Sequence, residues 1–295
     1  MSAPIFSVIV PTYNRPHQVR VCLEKLALLD YDKNALEVIL VDDGGACDLK
    51  SVVTPFLDRL IVKLERQPNH GPAGARNRGA ACAGGDFLAF TDDDCEPERG
   101  WLRALEAQLL RHPGHAIGGR IVNVATDVYA AASHVMIDAL YAHVNRDSPR
   151  FFASSNIAIH AGLFRDLGGF HDAFHLAAAE DREFCNRCLL HGVRLTYAPE
   201  AVVQHNHGMR LGEYWTQQFR YGRGAFQYRR VVREVQFERF AFYWEVVRRV
   251  FRESSGWKAA QRGCAVGLSQ LAVASGYMYE AMLSWCSRRR PPNIR

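Results

Sequence analysis

Short apolar runs alternate with helical periodicities through the first half of the chain. Phe6 to Val10 is a β-branched apolar run that Pro11 ends. Arg20 to Leu29 repeats its apolar positions at helical spacing, and Leu36 to Val41 is a second buried-strand pattern. Leu60 to Glu65 is a weaker third strand. Pro72 to Ala83 reads as a helix, with Pro72 suited to its first turn. Asp86 to Phe90 is a fourth strand and Glu98 to His112 a helix. This alternation predicts an α/β fold with a mostly parallel, Rossmann-like sheet flanked by helices.

The second half is more mixed. Ala116 to Val124, Phe151 to His160 and Val193 to Tyr197 read as strands; Asp127 to His143, Ala161 to Asp166 and Glu180 to His191 read as helices. From Leu211 onward the pattern is helical, basic and aromatic, which predicts a catalytic domain over 1–208 and a helical C-terminal region over 209–295.

Polar clusters follow the first, second and fourth strands: Pro11, Thr12, Tyr13 and Arg15; Asp42 and Asp43; and Asp92, Asp93 and Asp94. Ligands of open α/β sheets bind at the carboxyl ends of the strands, so three clusters on that edge predict one site.

Composition and charge add a compartment and a partner class. The eight cysteines form no regular framework, so free thiols in a reducing cytosol are expected. Cys185 and Cys188 form a CxxC inside a helical pattern without a second pair nearby, which favours packed thiols over a zinc site. Met1-Ser2-Ala3-Pro4 has no basic n-region, so no secretory signal is expected. The net charge is +5, and Met209 to Arg295 holds 16 Lys and Arg against 6 Asp and Glu. Such asymmetry points that region at something anionic: nucleic acid, a lipid headgroup or a phosphorylated acceptor.

Three adjacent carboxylates repel one another unless a cation neutralises them. Mg2+ or Mn2+ accepts oxygen ligands and bridges diphosphates, and in extended backbone Asp92 and Asp94 point to the same side. An exposed acidic turn is the alternative reading of this cluster.

SVIVPTYNR (7–15), VDDGG (41–45), GPAGARNRGA (71–80) and FTDDDCEP (90–97) resemble, in order and spacing, the nucleotide-binding half of family 2 glycosyltransferases. SSNIAIHAGLFRDLGGFHDAF and AAAEDREFCNR resemble that family's acceptor-side segments. The resemblance runs from Ile5 to His207 and implies a GT-A fold and an inverting, metal-dependent transfer from a nucleotide-diphosphate sugar, with UDP as the expected nucleotide.

The resemblance also implies roles. Pro11, Thr12, Tyr13 and Arg15 would line the nucleobase and ribose, Tyr13 giving an aromatic face. Asp43 would accept from the uracil N3–H, with Asp42 the second choice. Arg76 and Asn77 would sit near the nucleotide, and a surface ion pair is the alternative for Arg76. Asp92 would contact the ribose or the metal, Asp94 would ligate the metal, and Asp93 completes the cluster with the least defined role. Asp181, paired with Glu180 at a helix start, would be the catalytic base, its ionised form favoured by the helix N-terminus; plain helix-start residues are the alternative. His205 would complete the metal site, with His207 the second choice. Gln217 to Tyr221 resembles the QxxRW signature of polysaccharide synthases, which puts Arg220 near the diphosphate; Tyr221 in place of Trp weakens a processive reading, and an ordinary basic helix is the alternative.

The expected partners are a nucleotide-sugar donor and a carbohydrate or lipid-linked acceptor, with no nucleic acid. Peripheral membrane contact through basic, aromatic C-terminal helices is the sharper reading of Phe226 to Arg252, against a helix packed on the catalytic domain. The expected location is cytoplasmic, at the inner face of the membrane. Competing function classes are a nucleotidyltransferase, which would normally show a Gly-rich phosphate loop where PTYNRPH stands, and a non-catalytic nucleotide-sugar-binding protein.

Overall fold

A computed structural model describes residues 5–145, 148–176, 178–232 and 240–289. The Met1–Pro4 start and residues 233–239 of the tail helix expected from Phe226 lie outside the described residues. The chain divides into two compact units. The first holds Met1–Ala125, Val144–His175 and Asp181–His207; the second holds Thr126–His143, Leu176–Glu180 and Gly208–Arg295. The second unit thus gathers in two segments that the sequence reading keeps with the N-terminal domain.

The first unit opens with β1 (Phe6–Thr12), α1 (Pro16–Ala27), β2 (Leu36–Asp42), α2 (Leu49–Val53) and β3 (Ile61–Arg66). It continues with α3 (Gly71–Ala81), β4 (Phe87–Phe90), β5 (Cys95–Pro97), α4 (Trp101–Arg111) and β6 (Ala116–Asn123). After α5 (Val128–Val144), most of which belongs to the second unit, come β7 (Ile157–His160), α6 (Ala161–Asp166), α7 (Glu180–Leu190) and β8 (Leu195–His205).

The eight strands form one sheet in the order β3-β2-β1-β4-β7-β6-β8-β5. Pairings among β1 to β4 are parallel; β7 enters antiparallel between β4 and β6, β8 runs parallel to β6, and β5 is antiparallel to β8. Every residue of β2 is buried, the near-continuous apolar run of a parallel strand covered on both faces. Edge strand β3 carries Lys63, Glu65 and Arg66 and is mostly exposed, which discourages pairing with another chain. Helix α4 lays Trp101, Leu102, Leu105 and Leu109 on the core, joined there by Val19, Leu23 and Leu26 of α1.

Three strand expectations shift. β1 continues through Pro11 to Thr12 instead of ending at the proline. The Ile9 carbonyl bonds Thr91 on the β4 side, so Pro11, two residues on, turns its missing N–H to that same side, where the β1–β4 register ends at Ile9. The Phe151 to His160 segment is strand only from Ile157, because Ser154–Asn156 forms a single 3-10 turn. Buried Asn156 holds that turn by accepting from the Trp101 indole at 2.9 Å and donating to the Arg120 and Ala201 carbonyls. β8 runs through Pro199 because a bulge opposite Gly119/Arg120 absorbs residues 199–201, which have no ladder partners.

In the second unit α5 joins α8 (Leu211–Val232), α9 (Phe240–Glu253) and α10 (Gly256–Arg289). Helices α8 and α10 pack closely: a Cβ on Gly222 would strike the Val273 carbonyl, and one on Gly276 the Phe219 carbonyl. Tyr214 donates to the Ala265 carbonyl at 3.0 Å, and Arg223 pairs with Glu280 at 2.6 Å. A smaller core joins Val135 and Ala139 of α5, Phe242, Val246 and Val250 of α9, and Ala259 of α10. Among the described residues no helix is long and apolar enough to cross a membrane.

Candidate active site

The three polar clusters meet at the carboxyl edge of the first unit's sheet. From the end of β1, the Thr12 hydroxyl donates to Asp93 at 2.7 Å in a buried contact. Arg15, just before α1, reaches Asp93 at 3.1 Å and Asp94 at 2.9 Å. Asn14 turns the chain between them with φ of 56°, a left-handed conformation that asparagine tolerates, and its side chain accepts from the Ala46 N–H at 2.7 Å. Tyr13 is left exposed beside this loop.

The strand pairing of β5 with β8 sets Cys95 opposite His205. Asp94 therefore faces both histidines: His205 Nε2 is 3.4 Å from Oδ1 and His207 Nδ1 is 3.3 Å from Oδ2. Burial alone would raise the Asp94 pKa, but His205, Arg15 and His207 hold it below the usual carboxylate range. His205 moves the other way: burial opposes its charge, yet Asp94 raises its pKa. Asp93 is pushed up by burial and by the Asp94 charge beside it.

The donor atoms of Asp94, Cys95 and His205 lie within 4.8 Å of one another. Burial and the neighbouring aspartates hold the Cys95 thiol well above its ordinary pKa, and its soft sulfur is a poor match for a hard cation. A carboxylate with an imidazole is the donor set that suits Mn2+, so the residues present fit such a cation. Asp92 turns instead to Arg76, whose Nη2 is 2.5 Å from its Oδ1.

Arg76 is buried at the middle of α3, not part of a surface ion pair. Its guanidinium lies 5.7 Å from the Phe170 ring centroid. Asn77 does not face the Asp92–Asp94 cluster: its amide donates to the Phe170 carbonyl and accepts from the Phe170 N–H, both at 2.8 Å. From α7, Arg187 donates to the Leu167 and Gly169 carbonyls and grips Glu183 with two nitrogens. The loop under Arg76 is thereby pinned from both sides. Sequence reading missed Glu183 and Arg187; their i, i+4 spacing was the available signal.

Asp42 and Asp43 are both engaged. Asp42 accepts from the Gly45 N–H at 2.8 Å and faces Arg66. Asp43 accepts from Gln67 at 2.7 Å and from the His70 and Gly71 N–H groups at 2.9 Å, which fixes the entry to α3. Gly71 has φ of +79° and a Cβ there would collide with the His175 carbonyl, so only glycine fits.

Asp181 begins the part of α7 that belongs to the first unit. Its pKa is raised, contrary to the lowering expected from a helix N-terminus. Burial dominates, and the Arg182 and Ser154 N–H groups and Arg76 only partly offset it. Glu180, which is buried, and Arg220, which is exposed on α8, fall in the second unit.

The chain matches the profile "Glycosyl transferase family 2" over residues 7–168 and "Glycosyl transferase family group 2" over residues 91–287. It belongs to glycosyl transferase family 2, and its first unit is the GT-A fold of that family. It is 31% identical over 228 residues to the pre-mycofactocin glycosyltransferase of Mycobacterium tuberculosis, a match over 74% of this chain and 46% of that one. It is 36% identical over 124 residues to a GalNAc(5)-diNAcBac-PP-undecaprenol beta-1,3-glucosyltransferase of Campylobacter jejuni, over 40% of this chain and 39% of that one. The chain thus spans less than half the length of these relatives. Among solved structures it is similar to the mannosyltransferase PcManGT of Pyrobaculum calidifontis, in complex with GDP-Man and Mn2+. That likeness has a TM-score of 0.65 at 19% identity, over 98% of this chain and 89% of that one.

Proposed function

We propose that the chain transfers a sugar from a nucleotide-diphosphate donor, a UDP-sugar by its family membership, to an acceptor hydroxyl with inversion at the anomeric carbon. The observation that carries this reading is Asp94 set between Arg15, His205 and His207, with Asp92 held by Arg76 alongside. Asp94 and His205 would hold a divalent cation, Mn2+ or Mg2+; when bound, it supplies positive charge against the leaving diphosphate. The Mn2+ in the PcManGT complex supports that assignment.

The chain's own groups have separable tasks in this reading. Tyr13 offers its ring to the nucleobase. Thr12 and Arg15 fix Asp93, so that the carboxylate next to the ligand cannot swing. Asp92, oriented by Arg76, meets the ribose. Asp43 meets the base only with the lone pairs that the α3 entry leaves over, which makes it a weaker determinant of uracil. Asp181 accepts the acceptor's proton; burial raises its basicity toward the task. Its neighbour Glu180 precedes it at that helix start.

A lipid-linked carbohydrate is the acceptor class favoured here, supported by the undecaprenol-linked substrate named for the Campylobacter relative. The reading assigns the reaction to the cytoplasmic side, in keeping with eight free cysteines. Donor hydrolysis and transfer to a polyprenyl-diphosphate sugar, screened with UDP-, GDP- and dTDP-sugars with and without Mn2+, test it. Turnover with one donor that requires Mn2+ is expected; neither turnover nor binding with any donor overturns it.

A further inference from the structure

Among the described residues of the second unit, several large apolar side chains are exposed. Helix α9 buries Phe242, Val246 and Val250, spaced four apart, in the seam with α5 and α10. The opposite face presents Trp244, Val247 and Phe251, at i, i+3 and i+7, and all three are exposed, Phe251 at 68%. On a 3.6-residue period these three share one stripe, and the exposed Arg248 and Arg252 flank it on one side. Gly256, with φ of +55°, turns the chain into α10, whose first exposed side chains are Trp257 (76%) and Lys258.

Helix α10 repeats the theme. Trp257, Cys264, Leu271, Met278 and Trp285 recur every seven residues and are all exposed. Met282 joins the same face, and Ala260, Gly267 and Ala274 fill the intervening positions. The stripe is about 42 Å long at 1.5 Å per residue. The helix's charged residues between Trp257 and Trp285 are Lys258, Arg262 and Glu280. All three project from other faces, and Glu280 is taken by Arg223 and Gln227. A water-facing helix side of that length without a charge is the kind of patch that marks an interaction surface.

We propose that this surface is a membrane-contact face: α9 and the start of α10 lie on an anionic lipid surface, with Trp244, Phe251 and Trp257 in the headgroup boundary. Tryptophan favours that boundary, where one end of the ring is apolar and the other wet. Arg248, Arg252 and Lys258 are the cations that would meet the phosphates of a negative surface. The excess of 16 basic over 6 acidic residues from Met209 onward gives the same sign over a longer range. A second copy of the chain fits less well. The heptad on α10 alternates large residues with Ala and Gly, and the e and g positions hold no charge pairs to set a register. Joining two α9 faces would also bring Arg248 and Arg252 against their own copies. The surface stands whichever nucleotide sugar the enzyme uses.

The test is flotation of the full chain with vesicles of phosphatidylcholine alone and of equal parts phosphatidylcholine and phosphatidylglycerol. Binding to the mixed vesicles, at least about tenfold above the neutral ones and weakened on raising salt from about 0.1 M to about 1 M, is expected. The variant Trp244→Ser/Phe251→Ser/Trp257→Ser, altered only at exposed positions, loses that binding about tenfold or more. Tryptophan quenching by brominated acyl chains falls with it. Arg248→Gln/Arg252→Gln/Lys258→Gln, which keeps the apolar face, loses the preference for the mixed vesicles and so reads the proposal if the first variant fails to fold. Donor hydrolysis on a soluble assay stays at the wild-type rate in both variants. Absence of wild-type flotation overturns the proposal, as does equal binding to both vesicle types. So does a wild-type dimer by light scattering that the serine variant splits without any vesicle binding, which makes the partner a second copy.

Discussion

Arg76, on α3, sets its Nη2 2.5 Å from Oδ1 of Asp92, sixteen residues on, while its guanidinium rests on the Phe170 ring. The pair joins a buried helix residue to the acidic cluster and fixes where the Asp92 carboxylate points. Arg76→Ala should lower kcat/KM about 100-fold, since a small misplacement of a positioning group costs that much. Arg76→Lys keeps the charge without the planar fork and should recover only part of it. Steady-state kinetics with a saturating acceptor check both; wild-type kinetics in Arg76→Ala would remove Asp92 from the donor site.

His205 and His207 differ in what they lose on truncation. His205 lies opposite Cys95 in the β5–β8 ladder and shares the compact donor group with Asp94, whereas His207 flanks the other carboxylate oxygen. His205→Ala should raise the Mn2+ concentration for half-activation at least about tenfold, and His207→Ala by less. Asp94→Asn should abolish the metal response. A larger shift in His207→Ala reverses the ligand assignment.

Asp181→Asn should leave the donor Kd unchanged and reduce transfer about 100- to 10,000-fold. Because burial raises the Asp181 pKa, the carboxylate becomes active only as pH climbs past that elevated value. The acid limb of the kcat/KM profile should therefore lie above the ordinary aspartate value of about 3.9. Isothermal titration of the donor and a pH series measure the two halves; transfer at the wild-type rate would exclude Asp181 as the base.

Glu37 gives a stability prediction away from the site. Its carboxylate is buried in the sheet, and burial opposes its charge. Lys63 at 2.7 Å, the Ser7 hydroxyl and the Gly84 N–H, both at 2.6 Å, nevertheless hold its pKa below the ordinary value. A depressed folded-state pKa contributes stability above the unfolded value of about 4.3, and that contribution is lost as pH falls through the folded value. Glu37→Gln should cost about 1–3 kcal/mol at neutral pH. The gap to wild type should narrow as pH falls below about 4.3 and close only below the depressed folded-state value. Urea melts at several pH values follow it; a gap independent of pH would mean the loss is steric.

Pattern alone carried the alternating first half of the fold and the convergence of Thr12, Asp42, Asp43 and Asp92–Asp94 on one sheet edge, because strand and helix periods and parallel connectivity are local rules. It did not carry pairings set by distant registers. That His205 and His207 both face Asp94 depends on β5, a three-residue strand too short to show a period, pairing with the far end of β8. That Asp181 has a raised pKa depends on the protein around it, which outweighs the helix terminus that sequence does show. Asn77 and Arg187 look like ordinary helix polar residues until the Leu167–Phe170 loop folds between them. The sequence by itself determined the class of fold, the family and the identity of the acidic cluster. Only the tertiary structure decided which histidine meets which carboxylate oxygen and which aspartate is held by which arginine, since those depend on contacts between residues up to 113 positions apart.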